Sequence, residues 1–343
     1  MTDSAQPFGE VADDERVSET PLVDKGFASV RRIGNGLYAT ISDLSKGNTS
    51  VCNGGFLVGR DAALLVEGLA TPAGASFQMD ALRMVSQAPV KGALNTHHHL
   101  DHSIGNAFYG TRGVEVWAHP AVARRIVDSY TPLQGADRAA ALGPFEKRMK
   151  DAKSEVVRAH AQSDLNAFTT VFQLANAGVL AVPNRPLDPT KLPMRVDLGG
   201  LTAVIESYPG HSGTDIVVRV PEQNVVYMGD LLVNGWYPAC LDEKTTVFGW
   251  RATLKTFASW DGDTLFVPGL GQLCGQRGIA EVREVFDDIA EQTARMFKRG
   301  VPAEEAQHRY VVPKKFENFF MFSWGFTIGA AITQLYAEWR EEK

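Results

Sequence analysis

Four of the chain's eight histidines fall within six positions, in "NTHHHLDHS" over residues 95–103: His97, His98, His99 and His102, with Asp101 between them. Imidazole and carboxylate together make a ligand set for a first-row metal, and zinc is the default ion for histidine-rich sites. On an extended segment, residues two apart point the same way, so His97 and His99 can reach one ion. Asp101 and His102 follow where the chain should turn into a helix ("SIGNAFYG") and can face a second point a few ångströms on. His98 projects away from His97 and His99, so it is expected to pack or to support, not to ligate. A solvated polar turn would account for one or two such residues. Four histidines and an aspartate directly after an apolar strand favour metal binding.

The elements that must position this cluster can be read from periodicity. "VKGALNT" is a buried strand that stops at the histidines. Before it lie "ASVRRIGNGLYATIS", "GGFLVG", a turn at Arg60-Asp61 and "AALLVEG", a run of short strands punctuated by Gly and Asn, then a helix over 73–87. From about 121 to 176 the pattern is helical. "VPNRPLDPTKLPM" (182–194), with four prolines, is an extended connector that closes an insertion over about 121–195. Strands resume with "LTAVIESYPG", "TDIVVRV", "NVVYMGD" and "DTLFVPG". Ile279, Val282, Phe286, Ile289, Thr293, Met296 and Phe297 recur at helical steps, Gly300 stops them, and a helical part runs over about 279–343. Strands followed by a helix, twice, with helices inserted between, make an α/β or α+β layered domain. We expect one domain over 26–343 behind a flexible tail over 1–25.

Composition narrows the partners. The chain has 343 residues, 44% hydrophobic and 22% charged, with a net charge of −6 and no basic block, so neither nucleic acid nor a membrane is an expected partner. A small-molecule substrate is. Three scattered cysteines, Cys52, Cys240 and Cys274, fit a reducing compartment. The polar, acidic start lacks the pattern of a secretory signal, which suggests a cytoplasmic protein; a signal already removed would place it in the periplasm instead. The most apolar stretch, "FFMFSWGFTIGAAI" (319–332), is short for a bilayer span and reads as a buried or subunit-facing helix. With Trp324, Phe326 and Trp339 it offers a surface for a homo-oligomer.

His97-x-His99-x-Asp101-His102 resembles the HxHxDH signature of the metallo-β-lactamase superfamily. Two further motifs agree in order and context. "SYPGHSGTD" is similar to the family's Gly-His-(Ser/Thr) turn, and "VVYMGDLL" to its strand-end Gly-Asp motif. The resemblance covers roughly residues 28–275 and implies a four-layer αββα sandwich with metals at one edge between the sheets. It further implies His97, His99 and His211 on a first metal, Asp101 and His102 on a second, and Asp230 between them. In the family a histidine in a Pro-Gly-His-Gly turn completes the second site; here "VPGLGQLCG" puts Leu270 in that place. This departure reads as a natural loss that leaves one Zn2+ firmly bound and the second weak or absent, as compensation by Cys240 or Cys274, or as a deliberate ligand substitution.

The leading expectation is a metal-dependent hydrolase. A zinc ion lowers the pKa of a bound water from 15.7 to about 7, and the resulting hydroxide would attack an ester, lactone or β-lactam-like amide. Asp101 is the expected catalytic residue, orienting the nucleophile and moving its proton. Trp236 and Tyr237, just past Asp230, are candidates for substrate contact, and apolar residues of the insertion (Leu133, Leu142, Phe145, Phe168, Phe172) for core or pocket. Two alternatives remain: a mononuclear iron oxygenase of the persulfide dioxygenase kind, using His97, His211 and Asp230, and a catalytically impaired family member acting as a binding or assembly module.

Overall fold

The computed structural model describes residues 13–341. A first sheet carries eight strands in chain order: β1 (Val23–Asp24), β2 (Ala28–Gly34), β3 (Leu37–Ser42), β4 (Gly54–Val58), β5 (Ala63–Val66), β6 (Val90–Leu94), β7 (Val116–Ala118) and β8 (Arg185–Pro186). Pairing is antiparallel through β5 and parallel from there on, as the crossover helix α1 (Pro72–Val85) between β5 and β6 requires. The short helix α2 (Asn106–Thr111) follows the histidine turn. The second sheet has five strands: β9 (Met194–Asp197), β10 (Thr202–Ser207), β11 (Ile216–Val220), β12 (Val225–Val233) and β13 (Leu265–Leu270), with only β12 and β13 parallel.

Period-two alternation sorts the strand side chains into layers. On β5, Leu64 and Val66 face the second sheet, while Ala63 and Leu65 pack on α1. On β12, Val225 and Tyr227 point into the same inter-sheet core. Val226 and Met228 point the other way, onto α6 (Val247–Phe257), α7 (Gln276–Lys298) and α9 (Ile328–Glu341). The order of layers is therefore helix, sheet, sheet, helix. This is the αββα sandwich that the motifs imply.

The insertion comprises α3 (Val122–Tyr130), α4 (Arg138–Lys150) and α5 (Glu155–Asn176). The proline-rich connector after them is extended, as its prolines predict, but parts of it pair as strands. It supplies an edge strand to each sheet, Arg185–Pro186 pairing with β7 and Met194–Asp197 with β10.

The C-terminal part differs in a second way. The α8 helix (Ala303–Arg309) precedes α9, and α9 begins only at Ile328. Residues 319–327 are irregular because their aromatic side chains anchor in different places. Phe320 lies 3.8 Å, centroid to centroid, from Trp236, whereas Phe326 faces the histidine edge. Of the expected tail, residues 1–12 lie outside the described residues. Arg16 donates to the Gln223 carbonyl at 2.8 Å and Val23–Asp24 pairs with β2, so residues from 13 onward lie against the body. Among the described residues no helix is long and apolar enough to cross a membrane.

Candidate metal centre

The histidine cluster sits where β6 ends, braced from below by two buried asparagines. Asn95 donates to the His102 carbonyl at 3.1 Å, and Asn106 donates to Asn95 Oδ1 at 2.7 Å. The Ile216 amide donates to the Thr96 carbonyl at 2.9 Å, which ties the second sheet to the start of the turn. Gly229 is needed beneath Thr96: its φ is +52°, and a Cβ there would stand 2.3 Å from Thr96 Oγ1.

His97, His99, His211 and Asp230 each place a donor atom within 4.8 Å of the others, a group able to hold a metal ion. Their second ring nitrogens are partly committed elsewhere. Thr96 Oγ1 lies 3.0 Å from His97 Nδ1, and the Ala239 carbonyl accepts from His211 Nδ1 at 2.9 Å. Both contacts direct Nε2 inward, the outer-shell orientation common at metal-bound imidazoles. His97 Nε2 is buried without a hydrogen-bond partner, as a metal-facing nitrogen should be. The residues present thus fit an ion.

Asp230 divides its two oxygens. Oδ2 lies 3.7 Å from His211 Nε2 and 4.0 Å from His97 Nε2, while Oδ1 lies 3.2 Å from His102 Nε2. Asp101 Oδ2 approaches the same His102 nitrogen at 3.5 Å. The six residues named from the motifs therefore converge, with Asp230 between two sets. Its carboxylate fits because residue 269 is glycine; a Cβ at Gly269 would lie 2.0 Å from Oδ1.

Leu270, next along, turns into an apolar cluster with Val51, Cys52, Leu69 and Trp236. It lends the second set no donor. Cys240 and Cys274 do not replace it, because both lie in the core between the second sheet and its helices. The cysteine electrostatically coupled to His102 is Cys52, whose thiol burial pushes up to about 12. Asn53 holds this segment against the Leu270 turn by donating to the Pro268 and Gly271 carbonyls.

Electrostatics separate the two sets. Burial and the neighbouring imidazoles hold His97 and His99 well below the ordinary histidine pKa, so both are neutral and ready to ligate. Burial also opposes a charge on His102, but Cys52, Asp230, Asp101 and Glu67 outweigh it and raise that pKa well above the ordinary value. Burial would lift Asp230; His102 and His211 hold it below the ordinary carboxylate range.

Sequence reasoning missed three supporting residues. Glu67, at the end of β5 with φ +74°, places Oε1 3.2 Å from His102 Nδ1 and also accepts from Thr96 Oγ1. An acid closing an otherwise apolar strand was the available signal. Asp242 lies 3.0 Å from His98 Nε2 and 2.9 Å from Arg125 Nη2, and His98, His99 and Asp242 form a further close donor group. Thr96 links Glu67 to His97. Nothing local marks Asp242 or Thr96.

Trp236 and Tyr237, expected against substrate, are instead core residues, 1% and 2% exposed. The chain passes inward after the Asp230 strand, and Trp236 packs against a tilted Phe320 ring. A cavity of about 270 Å³ does open beside His99, Asp101 and Asp230, and it is walled by Phe168 and Val171 of α5 and by Phe326. Leu142 lies in the core, and Phe145 stacks on Phe168 at 4.0 Å.

The profile of the metallo-beta-lactamase superfamily matches residues 47–238, and the chain belongs to that superfamily. Among solved structures, it is similar to the stereoselective inverting sec-alkylsulfatase Pisa1 from Pseudomonas sp. (TM-score 0.62, 16% identity, 91% of this chain and 50% of that one). It is also similar to a metallo-β-lactamase from Erythrobacter litoralis solved with β-mercaptoethanol in its active site (TM-score 0.50, 17% identity, 78% of this chain and 99% of that one). This chain spans half the length of the alkylsulfatase, and at such identities the likeness is one of fold. No curated protein sequence matches the chain.

Proposed function

We propose that this protein is a zinc-dependent hydrolase of a carboxylic ester, lactone or β-lactam-like amide. The observation that carries this reading is the convergence of His97, His99, His211 and Asp230 within 4.8 Å, at the mouth of a cavity. Zinc held by these residues would supply a Lewis acid and would bring the pKa of water from 15.7 to about 7. His97 and His99 bind as neutral imidazoles, and the carbonyl of Ala239 keeps the His211 ring turned inward. Asp101 lines the cavity and is half-buried, placed to take the proton of the attacking water on its carboxylate and return it to the departing oxygen or nitrogen. Water's OH ends on the acyl carbon and its proton on the leaving group. Phe168 and Val171 of the insertion line the cavity beside the site and would displace water there when substrate is bound.

A mononuclear iron oxygenase is the second reading, because His97, His211 and Asp230 supply two imidazoles and a carboxylate within the same group. Elemental analysis of protein purified without added metal decides between the two. Zinc near one equivalent, with ester or lactam hydrolysis lost in His99→Ala, supports the hydrolase. Full activity in that variant refutes it, and iron with oxygen uptake on a persulfide establishes the second reading.

A further inference from the structure

The cavity beside the metal group is one-sided in its chemistry. Its walls come from separate parts of the chain: Leu133 and the α5 residues Phe168 and Val171, Leu241 beyond the Asp230 strand, and Phe322 and Phe326 from the irregular C-terminal segment. Its ionisable rim is His99, Asp101 and Asp230, and no lysine or arginine lines it. The nearby guanidinium groups are committed. Arg125 is bound to Asp242 and the Ser212 carbonyl, and Arg148 to Asp164 and the Met321 carbonyl. Away from the metal group these walls offer a substrate anion no protein cation, whereas an apolar chain would meet aromatic and aliphatic side chains from three parts of the chain.

We propose that the cavity binds the apolar acyl or alkyl tail of an uncharged substrate, and that Phe168 and Phe326 set the length it accepts. At about 30 Å³ per water-sized group, the volume of about 270 Å³ holds on the order of nine non-hydrogen atoms. The tail then ends at His99 and Asp101, which places a neutral ester or lactone carbonyl at the metal group. A sulfate or phosphate ester gains nothing from these walls at its charged end. This assignment of substrate class rests on the hydrolase reading; the tail pocket itself does not.

The test has two arms on the protein as purified with its metal. In the first, linear 1-alkanols from butanol to decanol and hexyl sulfate are titrated calorimetrically. Affinity should rise about three- to fourfold per methylene up to eight or nine carbons and then level off, with hexyl sulfate weaker than hexanol. Phe168→Ala should move the plateau to longer chains, and Phe168→Trp to shorter ones. In the second arm, kcat/KM for p-nitrophenyl esters from acetate to decanoate should follow the same profile.

Binding that ignores chain length, a preference for hexyl sulfate, or a plateau unmoved by both Phe168 variants would overturn the proposal. Graded alkanol binding without turnover of any ester would sustain the pocket and remove carboxylic esters from the hydrolase reading. Ester turnover without graded alkanol binding would do the reverse.

Discussion

Asp230 Oδ1 stands 3.2 Å from His102 Nε2, while the other oxygen of the same carboxylate faces His211 and His97. One residue thus stands between the His97, His99 and His211 group and the His102–Asp101 pair. Leu270 is the near neighbour of that pair's edge, buried against Val51 and Cys52 just past the glycine that lets Asp230 fit.

Leu270→His should add a second tight metal equivalent, measured by elemental analysis after dialysis. In the metal-free protein the same change puts an imidazole into an apolar cluster, at a cost of about 1–3 kcal/mol. The melting temperature should therefore fall without zinc and recover with it. Two tight equivalents in the unaltered chain would contradict the loss assigned to Leu270.

Proton release should distinguish the sites. In the metal-free protein at pH 7, His97 and His99 are already neutral because their pKa values are lowered, so the first equivalent displaces no proton from them. His102 has a raised pKa and is protonated at pH 7, so a metal binding there must expel that proton. Calorimetry in buffers of different ionisation enthalpy should show about one more proton released for a second equivalent than for the first. Raising the pH through the His102 pKa should abolish this difference and strengthen the second site.

Glu67→Gln removes the charge that faces His102 Nδ1 but leaves the first group's donors in place. Outer-shell changes of this type typically cost about 10- to 100-fold in metal affinity. The loss should appear in the second equivalent, with the first nearly unchanged, in a competition titration against a chelator. An equal loss at both would mean that Glu67 acts on the whole cluster through Thr96.

Gly269→Ala pushes a methyl group against Asp230 Oδ1, because the Cβ would arrive 2.0 Å away. Since Asp230 belongs to both sets, this variant should weaken both equivalents and reduce turnover while retaining the far-UV circular dichroism of the parent. Unchanged metal affinity would show that the strand ends yield more readily than the packing implies.

Local pattern carries much of this protein in plain view. His97 and His99 are separated by two, so an extended chain sends both rings to one side whatever the rest of the molecule does. The alternation in "ALLVEG" and "NVVYMGD" assigns each side chain to a layer, and Gly300 marks the end of α7 to within two residues. Leu270 is legible too, since leucine has no donor in any fold. What could not be read were contacts made across the sheets and across long loops. Glu67 meets His102 through the parallel pairing of β5 and β6, and Asp242 reaches His98 after a chain detour of more than a hundred residues.

The same distinction explains the misplaced expectations. Trp236 and Tyr237 are adjacent to Asp230 in sequence, yet the chain turns inward after β12 and Phe320 covers them. Phe326 looked like helix or interface from its apolar neighbours, and tertiary packing instead brings it to the cavity wall. By itself the sequence determined the donor types, their spacing and the missing ligand, because these depend on covalent order and strand period. The tertiary structure decided which second residues hold each ring, where Cys52 lies, and what a substrate would touch, because those depend on which distant surfaces exclude water together.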